Sequence, residues 1–205
     1  MKAKLLGGYS RRMADDNVEK VLGVRTPVVS SSEPTRRTLD ERVFIRFPGL
    51  VRALGFVYAR LPPSSRLRRA FTARSSRRFA DAFNRRDWAV LLPFLHPDFK
   101  FEGAESLVGG YFPDLPQVHY GGDEYRRMFE TLVEGWEDLT LQSEEVVDLG
   151  DRLFGVSHLT GHGRLSGIAL DIPLFQVVNL RNGMIVSQRD FAERDKALEA
   201  AGLSA

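Results

Sequence analysis

The feature that most constrains the fold is a hairpin pattern near the carboxyl end of this 205-residue chain. Two runs of mixed apolar and polar residues, LFQVVNL at 174–180 and MIVSQRDF at 184–191, flank the tripeptide RNG. A three-residue loop that ends on glycine is typical of a β-hairpin, because its last position needs the left-handed conformation. The sequence therefore predicts antiparallel strands that end in this hairpin.

The register of the hairpin decides which side chains share a face. Without a bulge, a three-residue loop pairs Gln176 with Gln188 and Leu174 with Asp190. Since side chains alternate along a strand, six residues then lie on one face: Leu174, Gln176, Val178, Val186, Gln188 and Asp190. Two amides and a carboxylate on an otherwise apolar face indicate the wall of a ligand pocket.

Asp190 is the candidate general base on this face. Burial against apolar neighbours raises the pKa of a carboxyl group toward the range in which it can exchange a proton with a ligand. The structural alternatives are a salt bridge to Arg152 or Arg189, or exposure at the end of the strand. Gln176 and Gln188 either hold a ligand or bond each other across the sheet.

Three segments differ in composition along the chain. Residues 1–38 hold few apolar side chains and are predicted to form a flexible leader. Residues 39–63 carry apolar side chains at helical spacing between prolines, which predicts an accessory amphipathic helix. Residues 64–205 show helical patterns followed by strand patterns, which predicts one α+β domain.

The accessory helix is interpreted as a cover for an apolar face of the domain, and charge keeps two alternatives open. Residues 36–86 hold 14 arginines and 3 acidic residues, a net charge of +11. Residues 87–205 hold 9 basic and 20 acidic residues, a net charge of −11. The basic segment can therefore make a weak contact with an anionic membrane surface through residues 39–78, or act as a partner-binding or dimer-swapped arm.

Several classes of function are excluded by what the sequence lacks. There is no cysteine, which rules out disulfides, thiolate metal sites and a cysteine nucleophile. The histidines follow neither HxH nor HExxH spacing and no phosphate-binding glycine pattern occurs, so we expect no metal and no cofactor. The arginine-rich helix lacks a recognition motif, so no nucleic acid partner is expected. No apolar run approaches the ~20 residues of a membrane helix, which favours a cytoplasmic protein.

Five sequence blocks in order resemble a known family. The order helix, short helix, strand, long loop, helix and antiparallel meander indicates an α+β cone, a curved sheet wrapped around a cavity. FADAFNRRDWAVLLPFLHPDFKFEG (79–103) is similar to the opening of the nuclear transport factor 2-like superfamily. YGGDEYRRMFETLVEGWEDL, VVDLGDRLFGV, GRLSG and LRNGMIVSQRDFAERDKALEAAGL resemble its SnoaL-like branch. The resemblance covers about residues 68–203.

The resemblance implies a deep, mostly apolar pocket, often in a homodimer. Members of the family include steroid isomerases, polyketide cyclases, dehydratases, epoxide hydrolases and proteins that only bind, so the fold alone implies no reaction. Laid against the ketosteroid isomerases, the tyrosine that donates to the enolate falls on Phe79, and the aspartate base falls near Glu102. Their second, protonated acid falls on Gln176. Ketosteroid isomerisation is therefore not expected.

Two further positions are candidates for contacts with a ligand. His158 shares a face with Phe154 and Val156 and is predicted either to reach the cavity or to be a hydrogen-bonded core residue. Tyr120 ends a loop rich in glycine and proline, at 103–122, that is expected to form a rim or lid.

The resulting prediction is a protein that binds a small, mostly apolar organic molecule. The predicted ligand contacts are Gln176, Gln188, His158, Phe79, Phe83, Tyr120, Trp136, Leu174 and Val178. The alternative is a cofactor-free enzyme of the isomerase, cyclase, dehydratase or epoxide hydrolase type. In that case Asp190 or Glu102 is the base, and Gln176 or His158 is the hydrogen-bond donor.

Overall fold

A computed structural model describes residues 24–28, 36–105 and 117–203 of the chain. Most of the predicted leader and most of the predicted rim loop lie outside the described residues. The described helices are α1 (Leu39–Arg46), α2 (Pro48–Arg60), α3 (Arg66–Asn84), α4 (Gly121–Glu134) and α5 (Arg194–Ala201). The described strands are β1 (Val24–Pro27), β2 (Leu95–Glu105), β3 (Val118–Tyr120), β4 (Thr140–Asp148), β5 (Arg152–His162), β6 (Ala169–Arg181) and β7 (Met184–Phe191).

The seven strands form one curved, open sheet in the order β1-β4-β5-β6-β7-β2-β3. Neighbouring strands are antiparallel except β2 and β7, which run parallel. Helices α3 and α4 cover one face of the sheet, here called the inner face, and α5 covers the outer face. Residues alternate between the two faces: Leu174 lies in the inner core and Phe175 packs with the outer cluster around α5. The predicted α+β cone is confirmed.

The hairpin β6–β7 has a different turn from the predicted one. Arg181 pairs with Met184, and the turn consists of Asn182 and Gly183 alone, with φ of 52° and 74°. Two consecutive positive φ angles are what a two-residue type I′ turn requires. The prediction of a three-residue loop was therefore wrong, although the hairpin itself is confirmed.

A β-bulge in β7 returns Gln188 and Asp190 to the face on which they were predicted. Asn179 pairs with Ser187 and Leu180 with Ile185, so Val186 is the extra residue on β7. The extra residue shifts the pairing register by one residue. A shift of one residue moves every following side chain of the strand to the opposite face of the sheet. As a result Gln176 pairs with Asp190 and Val178 with Gln188, instead of the predicted pairs.

Two described parts of the amino-terminal region add detail to the predicted segments. Within the predicted leader, Val24–Pro27 forms the edge strand β1 against β4, and Val28 is buried. The predicted single accessory helix is divided into α1 and α2 at Phe47. Phe47 cannot continue the helix, because the residue before a proline is pushed out of the helical region; its φ and ψ are −130° and 70°.

Helix α3 buries two of its arginines, Arg68 and Arg78. Arg68 is 2% exposed and donates from Nε and Nη2 to the two oxygens of Asp148 on β4, at 2.7 and 2.8 Å. Tyr58 of α2 donates its hydroxyl to the same carboxylate at 3.0 Å. Burial raises the pKa of Tyr58 to about 12, so this donor stays protonated. The network attaches α2 and α3 to the sheet.

Candidate functional site

Three adjoining hollows lie between α3 and the inner face of the sheet. The carboxyl hollow, named for Asp190, has a volume of about 30 Å³. The arginine hollow, named for Arg78, has a volume of about 70 Å³. The serine hollow is the largest of the three, at about 120 Å³, and its wall contains Ser75, Ser76, Ser143 and Ser157. A volume of about 10–15 Å³ holds one water molecule, so each hollow has room for a ligand atom or more.

The side chain of Phe79 lines all three hollows. Gln176 lines both the carboxyl and the serine hollow, and Gln188 lines both the serine and the arginine hollow. The hollows are therefore adjacent spaces that these three side chains divide. Phe79 stands on α3, while Gln176 stands on β6 and Gln188 on β7.

Asp190 is the only acidic residue in the wall of the carboxyl hollow as the structure describes it. The rest of that wall is apolar apart from Gln176, with aromatic rings from both helices and the sheet: Phe79, Phe83, Phe101 and Phe129. The carboxyl group is 7% exposed. A carboxylate in such surroundings loses most of the hydration that stabilises its charge.

Two amides hydrogen-bond to Asp190. Gln188 donates from Nε2 to Oδ1 at 2.9 Å, and Gln176 donates from Nε2 to the same oxygen at 3.4 Å. Each glutamine accepts a bond in turn, Gln188 from the hydroxyl of Tyr125 at 2.9 Å and Gln176 from that of Ser157 at 3.4 Å. The amides are thereby held with their donor ends toward the carboxyl group.

Burial raises the pKa of Asp190 to about 7, and the two amide donors, which favour the charged form, lower it by a smaller amount. Asp190 makes no salt bridge with any residue that the structure describes. Arg152 donates to Asn179, and Arg189 is paired with Glu102. A carboxyl group that is half-protonated near neutral pH can both accept and return a proton.

Ser75 was not among the predicted site residues. Its Oγ is buried and has no hydrogen-bond partner among the described residues, and its side chain lines both the serine and the arginine hollow. Thr72, Ser75, Ser76 and Phe79 follow helical spacing in the sequence, so a polar stripe on α3 was visible.

Six of the predicted ligand contacts line the hollows: Phe79, Phe83, Leu174, Gln176, Val178 and Gln188. Trp136 is buried in the inner core but lines none of the three hollows. Tyr120 is 63% exposed on the edge strand β3, and it is the neighbouring His119 that turns inward, against the ring of Phe101. Neither Trp136 nor Tyr120 reaches the hollows, contrary to the prediction.

Glu102 and His158 both lie on the outer side of the sheet, away from the hollows. Phe101 faces the inner core, so Glu102 points to the outer side, where it pairs with Lys100 and with Arg189. His158 shares a face with Phe154, as predicted, but that face is the one α5 covers. Its ring pairs with Asp171 on the outer side.

The structure also bears on metal ions and membranes. No group of three or more acidic or histidine side chains within residues 24–28, 36–105 and 117–203 is arranged to hold a metal ion. No helix in the described part of the chain is long and apolar enough to cross a membrane.

The sequence of residues 76–188 matches the SnoaL-like domain family, and this match spans more than half of the chain. The chain belongs to the SnoaL-like family. The matched region includes the second half of α3, all of α4 and nearly all of the sheet. It contains every described residue that lines the hollows except Thr72, Ser75 and Asp190. No curated protein matches the chain.

Solved structures share the SnoaL-like fold. A nuclear transport factor 2-like protein of unknown function from Burkholderia pseudomallei is 20% identical, with a TM-score of 0.51, over 62% of this chain and 93% of its own. A candidate isomerase from Bacillus subtilis is 18% identical, with a TM-score of 0.50, over 66% and 96%. A candidate polyketide cyclase from Bacillus cereus is 13% identical, with a TM-score of 0.50, over 71% and 89%. At these identities the comparisons establish the fold alone.

Proposed function

We propose that this SnoaL-like protein binds a small, mostly apolar organic molecule across the three hollows, with Asp190 as its polar anchor. The observation that carries the proposal is a buried carboxyl group that faces an apolar hollow and has amides as its only described partners. A ligand hydroxyl or carbonyl placed there gains a hydrogen bond in a medium of low dielectric constant, where such a bond is strong.

The hollows indicate the size of the ligand. An apolar cavity of about 150 Å³ is enough for benzene, and the serine hollow is slightly smaller, at about 120 Å³. A single ring therefore fills the serine hollow with small adjustments of its wall. A larger ligand has to displace the ring of Phe79, because that ring separates the serine hollow from the carboxyl and arginine hollows.

Ser75 supplies a second polar contact. A buried hydroxyl without a partner leaves an unmet hydrogen bond, and a bound ligand that provides one recovers the free energy lost on desolvation. The preferred ligand therefore has an apolar ring system and two polar groups, one toward Asp190 and one toward Ser75.

The binding proposal is tested with a pair of probes, phenol and toluene, which are alike in size and differ in one hydroxyl. Titration calorimetry and chemical shifts of the backbone amides measure affinity and location. We expect phenol to bind more tightly than toluene, by about tenfold, since a hydrogen bond to a charged group contributes about 1.5–3 kcal/mol. Asp190→Asn reduces this preference, because the amide carries no charge.

Asp171→Asn is the matched control, since Asp171 is an exposed aspartate of β6 that pairs with His158 on the outer face. It should leave the preference for phenol unchanged. The proposal is overturned if neither probe shifts the resonances of residues that line the hollows, or if both variants reduce the preference equally.

A second candidate function rests on the pKa of Asp190, about 7. A carboxylate with this pKa can take a proton from a carbon next to a ligand carbonyl, leaving an enolate, and then return the proton to the same or another atom. This transfer requires no cofactor and is the step shared by isomerases, cyclases and dehydratases that act by proton abstraction. The second candidate is therefore the same binding protein with one added step.

Deuterium exchange separates the two candidates without knowledge of the substrate. Cyclohexanone in D₂O serves as the probe, and loss of its α-proton signals is followed by NMR. An enzyme of this kind accelerates the exchange above the rate in buffer, Asp190→Asn abolishes the acceleration, and Asp171→Asn retains it. A rate equal to that in buffer, with cyclohexanone bound at the hollows, would support binding without catalysis.

A further inference from the structure

Helices α1 and α2 expose several large apolar side chains, here called the exposed row. Six of them are exposed: Leu39, Val43, Phe47, Leu50, Phe56 and Val57. On α2 the opposite side is buried at Val51, Gly55 and Tyr58, at helical spacing. The helix is thus apolar on both sides, and one apolar side has no partner within the described residues.

Helix α2 cannot turn this row inward, because its buried side fits closely against the hairpin β6–β7. A Cβ at Gly183 of the hairpin would lie 2.1 Å from the backbone oxygen of Gly55, so only glycine allows this approach. The hydroxyl of Tyr58 is bonded to Asp148 of the sheet. The exposed side chains therefore belong to a fixed surface.

Arginines without carboxylate partners surround the row. No acidic residue occurs anywhere in residues 42–80. Four arginines of α1 and α2 make no ion pair with any described residue: Arg42, Arg46, Arg52 and Arg60. Other arginines of the basic segment do have partners, such as Arg68 with Asp148, Arg74 with Asp40 and Arg37 with Asp87. Both helices therefore carry positive charge that no described carboxylate offsets, together with their exposed apolar side chains.

We propose that the exposed row of α1 and α2, together with the arginines of these helices, docks on an anionic phospholipid membrane. Aliphatic and phenyl side chains that project from a helix beside arginines are what a helix at a membrane surface needs: the apolar groups enter the interface and the guanidinium groups meet phosphates. Arg60 lies over the ring of Phe56, 3.2 Å from its centroid, and so keeps its charge next to an apolar group. A nucleic acid would use the arginines but leave Leu50 and Val57 without a role.

Vesicle co-sedimentation of the full chain tests the proposal. The probes are vesicles of phosphatidylcholine alone and of phosphatidylcholine with 30% phosphatidylglycerol, a composition chosen for the assay. We expect binding to the anionic vesicles that decreases with added salt, and little binding to the neutral ones. Arg52→Gln with Arg60→Gln should weaken binding by about fivefold for each arginine. Phe56→Ser with Val57→Ser should weaken it at least as much.

Matched controls come from other exposed parts of the chain. Leu165 and Ile168, in the β5–β6 connection, are exposed apolar residues, and Arg126 and Arg127 are exposed arginines of α4. Leu165→Ser with Ile168→Ser, and Arg126→Gln with Arg127→Gln, should leave vesicle binding unchanged. Circular dichroism of each variant verifies that it is folded.

Three results would overturn the proposal. The first is the absence of binding to anionic vesicles, or equal loss in the control variants. The second is a dimer in gel filtration with light scattering that Phe56→Ser with Val57→Ser converts to a monomer while vesicle binding is unaffected, which would assign the surface to a second copy of the chain. The third is binding to a DNA duplex that displaces the vesicles and depends on the arginines alone.

Discussion

At the junction of α3 with β4, the buried carboxylate of Asp148 meets the guanidinium of Arg68, whereas on the inner face of β7 the buried Asp190 meets only amides. Both carboxyl groups are nearly inaccessible, at 1% and 7% exposure. Only in the first case does a charge of opposite sign offset the loss of hydration. The Asp148 pair holds two helices on the sheet, whereas Asp190 has no counter-charge among the described residues and is the anchor of the proposed ligand site.

The comparison shows that burial alone does not make a site. Asp40 provides an intermediate case, because it is only partly buried: burial raises its pKa, and the bonds from Thr38 and Arg74 with the charge of Arg78 lower it more, so the net direction is down. A neutral partner leaves the effect of burial dominant, and this is the arrangement at Asp190. The first two predictions test this difference by removing one group from each region.

The largest effect is expected at the Asp148 pair. Arg68→Met leaves a buried carboxylate without its counter-charge, and we expect the free energy of unfolding to fall by about 3–5 kcal/mol. Urea unfolding followed by circular dichroism measures this loss. Adding Asp148→Asn to Arg68→Met should restore part of the stability, because the unpaired charge is then removed.

Arg74→Met is the control for this prediction. Arg74 is 62% exposed and shares Asp40 with Arg78, so its loss should change the free energy of unfolding by no more than about 1 kcal/mol. Equal losses for Arg68→Met and Arg74→Met would contradict the structural role of the buried pair.

The second effect concerns pH and Asp190. The pKa of this group is about 7 in the folded protein, against about 3.9 in an unfolded chain, so the folded state binds more protons between these values. The stability that this group contributes is present below about pH 4 and is lost as pH rises to 7, by as much as a few kcal/mol. Asp190→Asn should remove that part of the pH dependence and be at least as stable as wild type at pH 8.

The measurement is the free energy of unfolding of wild type and variant at several pH values from 4.5 to 8. Asp195→Asn serves as the control, since Asp195 is an exposed aspartate of α5 without an ion pair among the described residues, and its removal should leave the slope of the wild type intact. Parallel curves for wild type and Asp190→Asn would mean that Asp190 titrates as an ordinary carboxyl group.

The third effect concerns the division of the hollows. Phe79→Leu removes part of the ring that separates them, and we expect the affinity for 1-naphthol relative to phenol to rise on the order of tenfold, or ~1–2 kcal/mol. Phe71→Leu is the control, because Phe71 stands on the same helix and packs against Tyr58 instead of lining a hollow. Calorimetric titration of both variants with both probes measures the ratio. An unchanged ratio in Phe79→Leu would show that the hollows do not form one binding space.

The sequence pattern was sufficient to predict the fold and the residues on the inner face of the hairpin. It was not sufficient to predict the two-residue turn and the β-bulge that together place those residues there. Asn182-Gly183 is the strongest short signal for a two-residue turn, yet such a turn without a bulge would place Gln188 and Asp190 on the outer face. The extra residue at Val186 reverses this exchange. A bulge depends on packing across the sheet, which a single strand does not display.

The sequence could not show which face of β5 lies toward the hollows. Alternation gives two faces for each strand, and an apolar neighbour such as Phe154 was taken to mark the cavity side. Here the outer face is also buried, by Ala197 and Ala201 of α5 together with Leu203, so both faces of β5 look apolar. The buried Arg68 could not be anticipated for a similar reason, since its partner Asp148 lies 80 positions away in the sequence.

The smallest change in stability is expected for Ser75→Ala. This variant tests whether the Ser75 hydroxyl serves ligand binding or the stability of the fold. Because the buried hydroxyl of Ser75 has no described partner and alanine is the better helix former, Ser75→Ala should raise the free energy of unfolding by about 0.5 kcal/mol. The hydroxyl of Ser157, which donates to Gln176, gives the opposite case, and Ser157→Ala should lower the free energy of unfolding by ~1 kcal/mol.

For a ligand that reaches both polar groups, such as 4-hydroxybenzyl alcohol, Ser75→Ala should weaken binding severalfold. A stability loss in Ser75→Ala as large as that in Ser157→Ala would show that the hydroxyl supports the fold, and the assignment of Ser75 to the ligand would fail.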